Sequence, residues 1–180
     1  MLKHLRLIVS MAIVFALTSC GNEPTLTRSD IAADTLRIQA GKEWLKINIE
    51  SFFNNDNNFL KGFSYLCTEQ YAEFKQDATN IDLDGGMTKA EFKSKWGRRY
   101  HEYSGIGEGF MIAGTDFGKI EVTKCDFKYV TEMKNLLYDV LIVDKTFNSK
   151  FTRKVILVKS RNSFLIDNVY EMSNEFVDKK

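Results

Sequence analysis

Leu136-Leu137-Tyr138-Asp139-Val140-Leu141-Ile142-Val143-Asp144-Lys145-Thr146 is rich in aromatic and β-branched residues and holds neither glycine nor proline. Such a composition fits a pleated, largely buried strand. Three comparable runs flank it: 119–130 before, 151–159 and 164–170 after. The connections between them, 132–135, 147–150 and 160–163, are short and polar. Short polar links join neighbouring strands as hairpins, so the four runs predict an antiparallel meander. In the first run Ile120 and Val122 alternate cleanly, as do Cys125, Phe127 and Tyr129, but the phase breaks between Val122 and Cys125. One extra residue there predicts a β-bulge that bends the strand.

Upstream the periodicity becomes helical. From Ser29-Asp30 onward Ile31, Leu36, Ala40, Trp44, Leu45, Ile49, Phe52 and Phe53 recur mostly at three- to five-residue spacing and build one apolar face. The run Asn54-Asn55-Asp56-Asn57-Asn58 ends that helix, because Asn and Asp bond their own backbone and tolerate turn geometry. A short apolar piece, 59–66, is broken by Gly62. Thr68 caps a second helix, Glu69 to Ala78, with Tyr71 and Phe74 inward. Thr88, with Glu91 three residues on, opens a third, whose inner face carries Phe92 and Trp96. Gly97 and Arg98-Arg99 suit its end, and Gly105, Gly107, Gly109 and Gly114 punctuate the link to the strands. Helices first and a meander second give an α+β fold: three N-terminal helices packed on one face of a curved antiparallel sheet of about four strands. One such domain spans 34–174, with a polar tail at 175–180.

The first twenty residues are of another kind. Lys3 and Arg6 precede an apolar run from Leu7 to Leu17 interrupted only by Ser10, which is too short for a stable membrane span and reads as a secretory signal. It ends in Leu17-Thr18-Ser19-Cys20, which resembles the lipobox of bacterial lipoproteins. The resemblance implies cleavage after residue 19, lipidation of Cys20 and attachment to a membrane through that lipid. Residues 20–33 then form the lipidated cysteine and a tether. Gly21 carries no inner-membrane retention signal of the enterobacterial kind, so the expected location is the cell envelope at the outer membrane.

Loss of residues 1–19 removes Lys3 and Arg6 and no acid, leaving 23 basic against 24 acidic residues. A chain balanced in this way, with no basic stripe, has nothing to attract nucleic acid. Beyond Cys20 two cysteines remain, Cys67 and Cys125, and an oxidising compartment permits a disulfide between them. It would close a loop of about 58 residues and stabilise the domain by roughly 3–4 kcal/mol. Two buried thiols acting as small hydrophobes are the alternative. No CxxC or Cys/His cluster points to zinc or thioredoxin chemistry.

The element order, together with Leu66-Cys67-Thr68, Cys125 and Gly86-Met87-Thr88-Lys89-Ala90-Glu91-Phe92, resembles the nuclear-transport-factor-2-like, cystatin-like superfamily. More narrowly it resembles small bacterial lipoproteins of the domain of unknown function 3828 type. Enzymes, ligand binders and interaction modules share that fold, so the resemblance implies architecture rather than activity.

One stretch has the spacing of a metal loop. Read as a calcium loop of the EF-hand kind, 80–91 places oxygen ligands at Asn80, Asp82, Asp84 and Glu91, with the Gly86 carbonyl and Thr88 at the intermediate positions. Gly85 falls where the chain must turn with positive φ. Hard oxygen donors in this number suit Ca2+, the expected cofactor. The competing reading is a turn at Asp84-Gly85-Gly86 leading into a Thr88/Glu91 capping box. Beyond that loop, His101 is the sole histidine after the signal and a candidate general base or a surface residue. Asp126, Asp139, Asp144 and Asp167 lie on strands, solvated or facing a cavity between helices and sheet. Tyr129, Tyr138 and Tyr170 line a pocket or fill the core.

Three functional classes stay open. The first is a non-enzymatic envelope lipoprotein that binds a ligand or another protein. The second is a small hydrolase, isomerase or dehydratase working in the helix–sheet cavity, and the third a toxin immunity protein. A binder is expected to have a dry core and an apolar patch on the outer sheet, an enzyme polar side chains converging in a pocket. The lipid anchor is tested directly: labelled fatty acid is expected to enter the wild-type chain but not Cys20→Ala, which should stay longer and unprocessed. Equal labelling of both would show that Cys20 carries no lipid.

Overall fold

The computed structural model describes residues 28–100, 109–114 and 116–176, with side chains from residue 33 onward. Residues 1–19, read as a signal, Cys20, His101 and residues 177–180 lie outside the described residues. Helix α1 runs Arg28–Asn54, α2 Asp56–Leu60, α3 Glu69–Thr79 and α4 Lys89–Trp96, with a 3₁₀ turn at Phe63–Leu66. Strands β1 Ile120–Val130, β2 Leu136–Asp144, β3 Ser149–Ser160 and β4 Ser163–Glu175 form one antiparallel sheet in the order β1-β2-β3-β4. The fold is therefore α+β, helices first and the meander second. None of the described helices is long and apolar enough to cross a membrane.

The meander follows from local chemistry. Each hairpin turn holds one residue in the left-handed region, Lys134, Asn148 and Arg161 in turn. The register slips in β1 between Val122 and Lys124, where the alternation of apolar residues breaks, and again between Phe127 and Tyr129. Two boundaries differ from the sequence reading. Helix α1 begins at Arg28, in keeping with the periodicity from Ser29-Asp30 onward, so the domain starts before residue 34 and takes in residues 28–33 assigned to the tether, and Glu175, read as tail, pairs with Lys150 at the end of β4. The asparagine run does end α1, but it also starts α2: the Asn55 side chain accepts from the Asn58 N–H.

Helix α1 covers one face of the sheet with Leu45, Ile49, Phe52 and Phe53, all buried. Its approach is fixed at Gly41. There the hydroxyl of Tyr138 donates to the Ile38 carbonyl at 2.7 Å, and a Cβ on Gly41 would come to 2.5 Å from that hydroxyl oxygen. Further along, Glu50 and Asn54 reach the edge of β1. Glu50 Oε1 accepts from Val122 N at 2.9 Å, and Asn54 exchanges bonds of 2.9 and 2.7 Å with the Ile120 backbone. The edge strand is thereby closed by helix side chains instead of a fifth strand. Helices α3 and α4 stack an aromatic cluster around Phe74, whose ring centroid lies 4.2 Å from Tyr100, 5.5 Å from Phe92 and 5.7 Å from Trp96.

The expected disulfide is overturned. Both thiols are free and buried. Cys125 is on β1, whereas Cys67 bridges to Ile166 on β4, at the opposite edge. Strands are about 4.8 Å apart, so at least three spacings, about 14 Å, separate two cysteines whose Cα atoms must approach within about 7 Å. An even cysteine count carried no information about which edge each would occupy. Burial raises both thiol pKa values, that of Cys125 to about 11, so neither is a ready nucleophile.

The Gly41 contact makes a testable claim. Gly41→Ala gains about 1 kcal/mol of helix propensity but overpacks against a buried tyrosine, at a cost of about 1–3 kcal/mol. In a denaturant double-mutant cycle, Gly41→Ala is expected to destabilise the wild type more than it destabilises Tyr138→Phe. Equal effects in both backgrounds would show that the hydroxyl does not set the helix position.

Candidate functional site

Three places warrant attention: the loop at 80–91, the charged residues beneath the helices, and the sheet face opposite to them.

In the loop, Asn80 is the C-cap of α3, and a Cβ on Gly86 would overlap its carbonyl oxygen. Gly85 has φ of 80°, and Asp82 is also left-handed at 60°. The Gly86 N–H donates to Leu83 O, and Asp82 pairs with Lys89 at 3.6 Å. Glu91 is engaged with Thr88: its Oε2 accepts from Thr88 N and from Thr88 Oγ1, both at 2.8 Å, while Thr88 Oγ1 accepts from the Glu91 N–H. This is a complete capping box. Among the described residues, no three His, Cys, Asp or Glu side chains form a group that could hold a metal ion. Asp82, Asp84 and Glu91 thus do not converge, and Thr88 and Glu91 serve helix α4.

Beneath the helices sit charges that the sequence reading did not single out. Arg153 on β3 is fully buried, donating from Nε to Met111 O at 2.7 Å, from Nη1 to Thr152 O and Ser173 O at 2.9 Å, and from Nη2 to Asn174 Oδ1 at 2.6 Å. Lys75 on α3, equally buried, pairs with Glu171 on β4 at 3.0 Å. Burying charge is costly unless hydrogen bonds replace water, and here they do. The guanidinium joins β3, β4 and the segment 109–114, which is a structural task. A signal was present: Arg153 sits in phase with Phe151, Val155 and Leu157, the buried side of β3.

The opposite face is arranged differently. Strand alternation points Leu137 and Ile156 away from the buried Tyr138 and Val155. Register places Tyr129, Leu137, Ile156 and Asn168 in one row across all four strands, and Asp126, Asp139, Lys154 and Tyr170 in the next. Over these rows lie two adjoining clefts. One of about 470 Å³ is lined by Arg99, Tyr100, Tyr129, Met133, Asn135, Ile156, Asp167, Asn168 and Tyr170 among others. The other, of about 370 Å³, shares Tyr129, Ile156 and Tyr170 with it and adds Leu137, Lys154 and Met172. Tyr129, Met133 and Met172 are each half or more exposed. At the rim Asp167 accepts from Thr68 Oγ1 at 2.9 Å and pairs with Arg99 at 3.5 Å.

The tyrosines therefore divide: Tyr129 and Tyr170 line the clefts, and Tyr138 is core. So do the acids. Asp126 pairs with Lys124 and Asp139 with Lys128 on the outer sheet, whereas Asp144 is buried, taking N–H donors from Gly118, Thr146 and Phe147. A further groove of about 340 Å³ runs between α1, α2 and 109–117, walled by phenylalanines such as Phe52, Phe59 and Phe117.

Comparison with family models, with curated proteins and with solved structures found no match.

The capping box is open to test. Its hydrogen bonds from Thr88, the backbone one first, lower the Glu91 pKa. Stability from that group is present above the ordinary carboxyl value of 4.5 and lost as pH falls through the lowered folded value. Thr88→Ala is expected to cost about 1 kcal/mol in denaturant unfolding. Glu91→Gln should stay near wild type at neutral pH, because Gln serves the box, and should lose the acid-dependent part. With Glu91 so occupied, millimolar calcium is expected to raise the melting midpoint no more than equal magnesium. A calcium-specific rise abolished by Asp82→Ala would show that the loop holds an ion.

Proposed function

We propose that the chain is an envelope lipoprotein acting as a non-enzymatic binding module, and that it meets its ligand or partner protein with the outer face of the sheet. The membrane attachment rests on the signal ending at Cys20. That the domain is of the cystatin-like type, with its helices over a curved sheet, is part of the same proposal and is supported by the order of its elements. The observation that carries the functional reading is the pair of adjoining clefts around Tyr129, Ile156 and Tyr170. Exposed methionine and tyrosine gathered in one groove are the composition of a contact surface, and isolated surface hydrophobes would not need explaining. On the helical side, by contrast, Arg153 and Lys75 are buried and committed to structural bonds, which favours a binder over an enzyme using that interior.

Methionine oxidation tests it. In the purified chain Met133, 75% exposed, and Met172, 50% exposed, should oxidise readily, and Met111, 1% exposed, should resist. In intact cells Met133 and Met172 are expected to be protected several-fold, with half-buried Met87 between α3 and α4 unchanged. Equal oxidation in cells and in isolation would mean that nothing occupies this face.

A further inference from the structure

We propose that the outer cleft binds a neutral oligosaccharide. This rests on the reading of that face as the binding surface and goes further by naming what it recognises. The first observation is Asn168. It lines the larger cleft, is 5% exposed, and its Oδ1 has no hydrogen-bond partner. A buried acceptor left unmet is destabilising, and an apolar side chain of similar volume would pack the same place without that cost. The amide is thus poorly explained by the fold alone.

The second observation is the kind of polar group around it. Among the described residues, the hydroxyls of Tyr129 and Tyr170 and the carboxamide of Asn135 make no hydrogen bond with the protein, and all three line the same cleft. Hydroxyl and carboxamide groups both donate and accept. They complement a ligand whose own groups do both, as sugar hydroxyls do. The charged lining groups are largely neutralised: Arg99 pairs with Asp167 at 3.5 Å and Glu171 with the buried Lys75 at 3.0 Å, which leaves Lys154 against Glu132. A rim without net charge selects neither an anion nor a cation. Between the polar groups, Ile156 and the two tyrosine rings offer apolar area for the C–H face of a pyranose. The row from Tyr129 on β1 to Asn168 on β4 crosses three strand spacings, about 14 Å, which is longer than a single ring. An extended oligosaccharide therefore fits better than a monosaccharide.

The experiment uses the full chain purified in detergent, titrated by calorimetry and by saturation-transfer NMR with cellohexaose, chitohexaose and maltohexaose. At least one is expected to bind. Asn168→Ala and Tyr170→Ala should each weaken it by about fivefold or more, and Leu60→Ala, exposed on α2 near the start of β1, should not. The melting midpoint of Asn168→Leu, which keeps the volume, is expected to hold or rise, since Oδ1 bonds nothing in the protein; a fall of several degrees would show a structural role and overturn the argument. Absence of binding by all three sugars, or equal binding by Asn168→Ala, would also overturn it. If Met133 and Met172 are protected in cells while no sugar binds, the outer face stands as a contact surface and its occupant is a protein. If neither is seen, the surface itself is lost.

Discussion

A buried guanidinium has to find an acceptor for each N–H it turns away from water, and Arg153 satisfies that demand by gathering carbonyls from three parts of the chain. Met111, Thr152 and Ser173 supply backbone oxygens and Asn174 a side-chain one. The segment that supplies Met111 is itself bent out of the ordinary: Met111 is left-handed at φ 65°, and Ile112 N donates to Phe110 O across it at 2.7 Å. That tight turn is costly for a residue with a side chain. The bond to Arg153 and the burial of Met111 hold it in place. Without the guanidinium the segment would rest on the burial of Phe110, Met111 and Ile112 and on the ring contacts of Phe110 with Phe52 and Phe63.

The consequence is a sheet with two unlike faces. The helix side is filled to the end, by α1 against Tyr138, by the aromatic stack around Phe74, and by charges already committed to structural bonds. The other side keeps uncommitted groups beside exposed tyrosine and methionine. Closure of one face is what lets the other stay open: the domain draws its stability from the packed side, so the outer rows are free to be chosen for contact.

The loop 80–91 shows how one spacing can serve two chemistries. Oxygen-bearing residues at alternate positions before a helix describe a calcium loop and equally a turn leading into an N-cap. What separates them is where Glu91 points. Its carboxylate lies on Thr88, three residues back, within one turn of the same helix. Whether that oxygen caps a helix or meets an ion is a matter of rotamer and of neighbouring carboxylates, neither of which is written in the spacing.

Much of the fold was legible along the chain. Periodicities of two and of 3.6 separated Leu136–Asp144 from Arg28–Asn54, short polar links implied hairpins, and a phase break marked the bulge after Val122, because each is a property of neighbours in sequence. Less of the site was. Tyr129 and Tyr170 were visible as candidates, but not their separation from Tyr138, and Asn168 gave no signal at all. The signal-like stretch ending at Cys20 is likewise a linear pattern, read without any structure. What the tertiary structure decided was every relation across the sheet: that Cys67 and Cys125 occupy opposite edges, that Asp144 is buried while Asp126 is exposed and Asp139 half-buried, that Arg153 is enclosed, and that a row from Tyr129 to Asn168 lies under one cleft. Those relations depend on register and on which face α1 covers, and both are set by packing between residues far apart in sequence, Gly41 against Tyr138 foremost.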